Sequence, residues 1–172
     1  IRDRLDIDYR VTALPEVNES YPDTLSGEEI PLYISQEKAA AYRRFMKDNT
    51  LLITADTIVW LDGKVYGKPR DIADAKAMLQ ALSGKTHTVI TGVTLTSLQK
   101  QISFAVSTEV TFAALGDDEI DYYVETYRPL DKAGAYGVQE WIGYIGVTGL
   151  KGSYYNVMGL PIQRLYTELK KF

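Results

Sequence analysis

The chain has 172 residues, a formal charge of -4, 45% hydrophobic content and no cysteine. That length suits one core, and the composition is ordinary for a globular protein. The charge balance excludes a general basic field for nucleic acid polymers or membrane surfaces, and the missing cysteine excludes disulfides, a thiol nucleophile and thiolate metal sites.

Residues Ile1 to Val11 read as the tail of a short helix followed by a strand, with Ile1, Leu5 and Ile7 apolar and Tyr9 and Val11 alternating. The start at Ile1 rather than methionine fits a processed or truncated N-terminus. No apolar run reaches the ~20 residues of a membrane span and no signal peptide is visible, which agrees with a cytoplasmic protein. Leu14 to Gly27 is acidic and turn-rich, a solvated loop able to carry Glu16 or Glu19 to the edge of a metal site. Pro31 suits the first turn of a helix expected to run to about Lys47, burying Ile34, Ala41, Tyr42 and Phe45. Lys38 shares the stripe of Ile34 and Tyr42. It either snorkels out of the core or reaches a polar pocket at its edge.

Leu51 to Ala55 is a continuous apolar run, the pattern of a strand covered on both faces, and it ends on Asp56 and Thr57. A carboxylate at the end of a buried strand either caps a turn or marks a ligand site, since open α/β sheets bind ligands beyond the carboxyl ends of their strands. Asp62-Gly63 is a hairpin signal, and the returning chain brings Gly67-Lys68-Pro69 and its cation towards Asp56. A helix from Ile72 to about Leu82 is capped by Asp71 with Asp74 three residues on, carries Ala75, Met78, Leu79 and Leu82 as its apolar stripe, and stops at Gly84.

Thr86 to Leu98 and Ile102 to Leu115 read as long strands joined by a hairpin at Gln99-Lys100. The single histidine, His87, suits a structural hydrogen bond. A third helix covers Asp117 to about Thr126, with Ile120, Tyr123, Val124 and Tyr127 inward and Pro129 beyond its end. Leu130 to Glu140 packs an acid, a cation, two glycines and an amide into eleven residues, either a ligand-binding turn or an irregular one. The last unit opens on a polar turn at Ser153 to Asn156. It ends in a helix with Pro161 in its first turn and Ile162, Leu165, Tyr166 and Leu169 as its stripe. Closely alternating helices and strands predict an α/β or α+β domain with a mixed sheet.

The acids at 19, 56, 131 and 140 and the lysines at 38, 68 and 132 fall in loops or at element ends. Such a mixture either is solvated surface or suits a polyphosphate: lysines offset phosphate charge, carboxylates hold a divalent ion, and one carboxylate takes a proton from water. No Walker A loop, Gly-x-Ser-x-Gly elbow or dinucleotide fingerprint is present.

The ordered series Ala55-Asp56-Thr57, Gly67-Lys68-Pro69, Leu82 to Val89, Thr91-Gly92-Val93, Asp131 to Gln139 and Gly152 to Pro161 resembles the motifs of the Maf-like nucleoside triphosphate pyrophosphatases, the septum-formation-inhibitor homologues. The resemblance implies a single domain over residues 1–172, an elongated mixed sheet with a cleft between two lobes, and a homodimer. It implies hydrolysis of a nucleoside triphosphate to the monophosphate and pyrophosphate with a divalent cation, Mg2+ or Mn2+. Asp56 then matches the proton acceptor, Lys38 and Lys68 the phosphate-side lysines, and Glu19, with Asp56, the metal side. Lys132 belongs to the same cleft. Thr57 and Gln139 match the branch acting on dTTP and UTP. Other readings are a broader modified-nucleotide pyrophosphatase and a nucleotide-binding division regulator without turnover. The family's opening strand and Ser-x-Ser-Pro-Arg-Arg phosphate loop have no counterpart from Ile1 onward: either that segment precedes Ile1 in the protein, or it is lost and catalysis is expected to be weakened.

Overall fold

The computed structural model describes residues 5–13 and 17–172. Its centre is a five-stranded sheet in the order β2-β1-β3-β4-β5, formed by β1 (Leu52–Leu61), β2 (Lys64–Tyr66), β3 (Thr86–Thr96), β4 (Gln101–Phe112) and β5 (Val147–Lys151). Helices flank it: α1 (Glu29–Tyr42), α2 (Ile72–Leu82), α3 (Asp117–Tyr127), α4 (Trp141–Gly146), α5 (Tyr154–Val157) and α6 (Ile162–Lys171). The α/β class holds. Among the described residues every strand pairing is antiparallel, whereas a mixed sheet was expected. The short β1–β2 and β3–β4 turns leave no room for a parallel crossover.

The strand containing Asp56 does not stop there. Ile58, Val59 and Trp60 carry the pleat on to Leu61, and Asp56 sits mid-strand opposite Gly92 of β3. The acid therefore neither caps a turn nor lies at a carboxyl end. The Asp62-Gly63 hairpin is present, pairing Leu61 with Lys64 through φ values of 51° and 76°, as a two-residue type I′ turn requires. The β3–β4 turn begins earlier than Gln99. Ser97 closes it, its Oγ accepting from the N–H groups of Gln99 and Lys100 at 3.3 and 3.0 Å.

Alternation along β1 divides the core. Ile58 faces Ile30 and Ile34 of α1, with Ile90 beside it. Val59 and Leu61 face α2 and α3, where Leu79, Leu82, Ile120 and Tyr123 are buried. Further along that second face, Val93, Leu95 and Phe104 meet Leu165 of α6. Helix α1 is also fastened by polar bonds: Thr54 Oγ1 donates to the Ser35 carbonyl at 2.7 Å, and Ser35 Oγ lies 2.7 Å from Thr94 Oγ1. Gly92 lets the helix come this close. A Cβ there would overlap the backbone of Pro31 and Leu32.

Asp71 accepts from Asp74 N–H at 2.7 Å as expected, while Asp74 reaches back to Arg70 N–H rather than closing a box on Asp71. Gly84 follows α2 with φ 67°. Helix α1 ends at Tyr42 and passes into a 3₁₀ turn at Arg43–Phe45, so the expected end near Lys47 is too late. Phe45 is exposed under the Arg44 guanidinium instead of buried. Tyr127 and Tyr166 are likewise exposed. The expected N-terminal strand is absent from residues 6–13, and Ile1 and Glu16 lie outside the described residues.

His87 makes the expected structural bond, with Nε2 2.6 Å from Tyr136 Oη between the rings of Phe112 and Tyr136. Burial pushes its pKa down to about 4. Between pH 6.5 and 4 the unfolded chain binds a proton that the folded chain refuses, so stability falls as pH falls through that window. A shift of this size corresponds to about 3 kcal/mol. Denaturant titrations at pH 7 and pH 4.5 should show this loss in the natural protein and a smaller one in His87→Gln. Equal pH dependence in the two proteins would remove His87 from the account.

Candidate active site

Asp56 projects from β1 towards α1, and α1 answers with Lys38, four residues beyond the buried Ile34. Lys38 Nζ lies 3.2 Å from Asp56 Oδ1, 3.2 Å from Glu19 Oε1 and 3.2 Å from the Ala55 carbonyl. Glu19, on the loop before α1, also reaches Lys68 Nζ at 3.8 Å, just beyond β2. Two acids and two lysines from four separate segments thus meet at one place. The Asp56 side chain is 11% exposed and that of Lys38 21%, so the pair is partly desolvated, which strengthens its mutual attraction and costs both charges hydration.

Burial pushes the Asp56 carboxyl above its ordinary value. Lys38 pulls it down, the Glu19 charge raises it, and Lys68 lowers it. The result is a carboxyl with a raised proton affinity beside a cation able to stabilise its ionised form, two properties that suit a proton acceptor.

A cavity of about 710 Å³ opens over these groups, within the range of small-molecule sites. It is lined by all seven residues expected at the site: Glu19, Lys38, Asp56, Thr57, Lys68, Lys132 and Gln139. They form two groups. Around Asp56 stand Glu19, Lys38 and Lys68. On the segment after α3, Lys132 pairs with Asp131 at 3.1 Å and Glu140 at 3.7 Å, with Gln139 beside it. Thr57 points to the opposite sheet face from Asp56, and its Oγ1 lies 2.8 Å from Thr91 Oγ1 and 3.4 Å from the Gly159 carbonyl.

Tyr21, Tyr136 and Met158 also line the cavity and were not among the expected site residues. Tyr136 and Met158 lie in the motif stretches Asp131 to Gln139 and Gly152 to Pro161; Tyr21 carries no local signal beyond its place in an acidic loop. Asn156 holds the Val157–Gly159 wall in place. Fully buried, its Nδ2 donates to the carbonyls of Val89 and Val106 at 3.2 and 3.0 Å.

Among the described residues no cluster of three or more His, Cys, Asp or Glu could hold a metal by itself. The donor set still fits a hard divalent cation. The Lys38 ammonium rests in a cradle of three oxygens, from Glu19, Asp56 and the Ala55 carbonyl, and so stands where a cation is attracted. Two carboxylates completed by substrate phosphates and water match the way Mg2+ is commonly held.

A family model described as Maf-like protein matches residues 2–172. Similar curated relatives include the dTTP/UTP pyrophosphatase of Phocaeicola vulgatus, 66% identical over 167 residues that cover 97% of this chain and 86% of the relative. The dTTP/UTP pyrophosphatase of Bacteroides thetaiotaomicron is 62% identical with the same coverage. That of Flavobacterium psychrophilum is 48% identical over 165 residues, 96% of this chain and 84% of the relative.

Proposed function

The chain belongs to the Maf-like protein family, and on that basis we propose that it hydrolyses the α–β phosphoanhydride of dTTP and UTP to the monophosphate and pyrophosphate. The observation that carries the reading is the meeting of Asp56, with its raised pKa, and the ammonium groups of Lys38 and Lys68 in one nucleotide-sized cavity. Relatives named for this activity support it.

Asp56 takes a proton from water as the water oxygen attacks the α-phosphorus in line. The bond from that phosphorus to the bridging oxygen breaks, and its electron pair leaves with pyrophosphate. Lys38 and Lys68 offset the charge gathering on the phosphates. Glu19 and Asp56 would hold a divalent cation, Mg2+ or Mn2+, which supplies polarisation of the phosphoryl oxygens and charge neutralisation of the leaving group. Gln139 offers a donor and an acceptor to a base edge, and a buried base group left unpaired there would cost binding. Thr57, whose hydroxyl already has partners in Thr91 and Gly159, shapes the wall behind that base.

The proposal includes a cytoplasmic homodimer. No helix among the described residues is long and apolar enough to cross a membrane. Pyrophosphate release from dTTP, UTP, CTP and 7-methyl-GTP, with Mg2+ or Mn2+, tests the reading. The kcat/KM values for dTTP and UTP should exceed the others by about 10²-fold or more. Equal turnover of all four would favour the broader pyrophosphatase, and nucleotide binding without pyrophosphate release would favour the regulator.

A further inference from the structure

The wall carrying Lys132 and Gln139 has little regular structure to hold it. Residues 132–140 contain one 3₁₀ turn, Ala133–Ala135, and within it Gly134 and Ala135 both take positive φ, 69° and 61°. Such a segment keeps its shape through partners rather than through helix or strand propensity. Gly134 N–H donates to the Gly67 carbonyl at 3.1 Å, tying the wall to the loop that carries Lys68. Tyr136 is held by His87 and Lys132 by Asp131, and a further set of ties converges on Glu140.

Glu140 does not line the cavity. Its Oε1 accepts from Tyr123 Oη at 2.9 Å and lies 3.7 Å from Lys132 Nζ. Tyr123, fully buried on α3, accepts in turn from Gly137 N–H at 3.1 Å. Burial pushes the Tyr123 phenol well above its ordinary range, which keeps the donating proton on oxygen. The Glu140 N–H donates to the Gly137 carbonyl at 3.0 Å, closing the turn that carries Gln139. Gly137 has no side chain to separate these groups: a Cβ there would run into Glu140 Oε1 and Lys132 Cε. One carboxylate, with its side chain only 20% exposed, thus joins the buried α3 hydroxyl to a cavity lysine across the backbone of Gly137.

We infer that Glu140 is a positioning residue that sets Lys132 and Gln139 against the nucleotide, and that through them it governs discrimination between pyrimidines. The inference rests on the pyrophosphatase reading above. Its stated geometry distinguishes two variants. Glu140→Ala removes the acceptor of Tyr123 and one of the two carboxylates that hold Lys132, leaving Asp131 as the other. Glu140→Gln keeps an oxygen able to accept from both.

Calorimetric titration of the full chain with the α,β-imido analogues of dTTP and dCTP, in the presence of Mg2+, reads the effect without turnover. Glu140→Ala should weaken binding of the dTTP analogue about tenfold and reduce its preference over the dCTP analogue by a similar factor. Glu140→Gln should restore both to within about threefold of the natural protein. In pyrophosphate-release kinetics with dTTP, the loss in Glu140→Ala should fall mainly on KM and not on kcat, because neither wall residue attacks phosphorus. Natural affinity and preference in Glu140→Ala would overturn the inference. So would equal damage from both variants, which would make the negative charge, not the placement, the operative property. Binding shifts as expected together with no pyrophosphate release by the natural protein would overturn the hydrolase reading and leave the positioning role standing. Failure of the natural protein to bind either analogue would overturn both.

Discussion

Replacing Asp56 by Asn should lower kcat for dTTP by about 10²–10⁴ while leaving the fold intact, the range expected when a general base is lost. The amide fits the same space on β1 and still offers an oxygen to Lys38, whose ammonium lies 3.2 Å from the present carboxylate. It has no lone pair basic enough to accept a proton from water. Because burial raises the Asp56 pKa, the sign of the accompanying pH effect follows. As pH falls through the Asp56 pKa the base is protonated and turnover is lost, and a divalent cation held by the carboxylate moves that limb to lower pH. The residual activity of Asp56→Asn should lack this acidic limb. Stopped-time pyrophosphate assays from pH 4.5 to 9, with melting temperatures recorded alongside, check both statements. Undiminished turnover of the variant across a titration of Mg2+ and Mn2+ would remove Asp56 from the chemistry.

A Gly92→Ala variant should lose both stability and turnover, although residue 92 donates nothing to the cavity. The added methyl would enter the space held by the α1 backbone at Pro31 and Leu32. Backbone cannot swing aside as a long side chain does, so the helix must lift from the sheet, and such overpacking typically costs about 1–3 kcal/mol. Lys38 rides on the same helix, and Asp56 is the direct cross-strand partner of Gly92. Lifting α1 therefore separates the ammonium from the carboxylate it touches. Gly149→Ala is the matched control, since a methyl there meets Thr111 only at ordinary contact distances of 3.7 and 3.8 Å. Denaturant midpoints and kcat measured on both variants decide the matter. A Gly92→Ala protein indistinguishable from Gly149→Ala would mean that α1 has freedom to move that its close packing does not suggest.

Local chemistry made much of this fold legible. Asp71 and Gly84 bound α2, Asp62-Gly63 turns the chain between β1 and β2, and Ile120, Tyr123 and Val124 place the buried face of α3. Lys38 was legible by its period, since a lysine on the Ile34 stripe must emerge at the edge of the packed face. Asp56 lines the cavity, although the strand end that led to it is not there. Its strand runs on to Leu61 in an antiparallel sheet, and the apolar residues after the acid were the signal for that. Helix α4 and strand β5 left little trace because Gly143, Gly146 and Gly149 interrupt any period across them. The tie from Tyr123 to Glu140 spans seventeen residues and depends on tertiary packing. Periodicity could assign the tyrosine ring to the core but could say nothing of where its hydroxyl would end.

The pairing of β1 with β3 runs without interruption from Leu52 opposite Thr96 to Trp60 opposite Thr88. Neighbouring side chains on such a ladder emerge on opposite sides, and a shift by one position exchanges them all. Losing or gaining a single codon within β1 upstream of residue 56 would present Ala55 or Thr57 to Lys38 and turn the acid towards α6. Descendants of this gene can therefore vary β1 by substitution away from residue 56, but its number of residues is inherited as a unit with the activity.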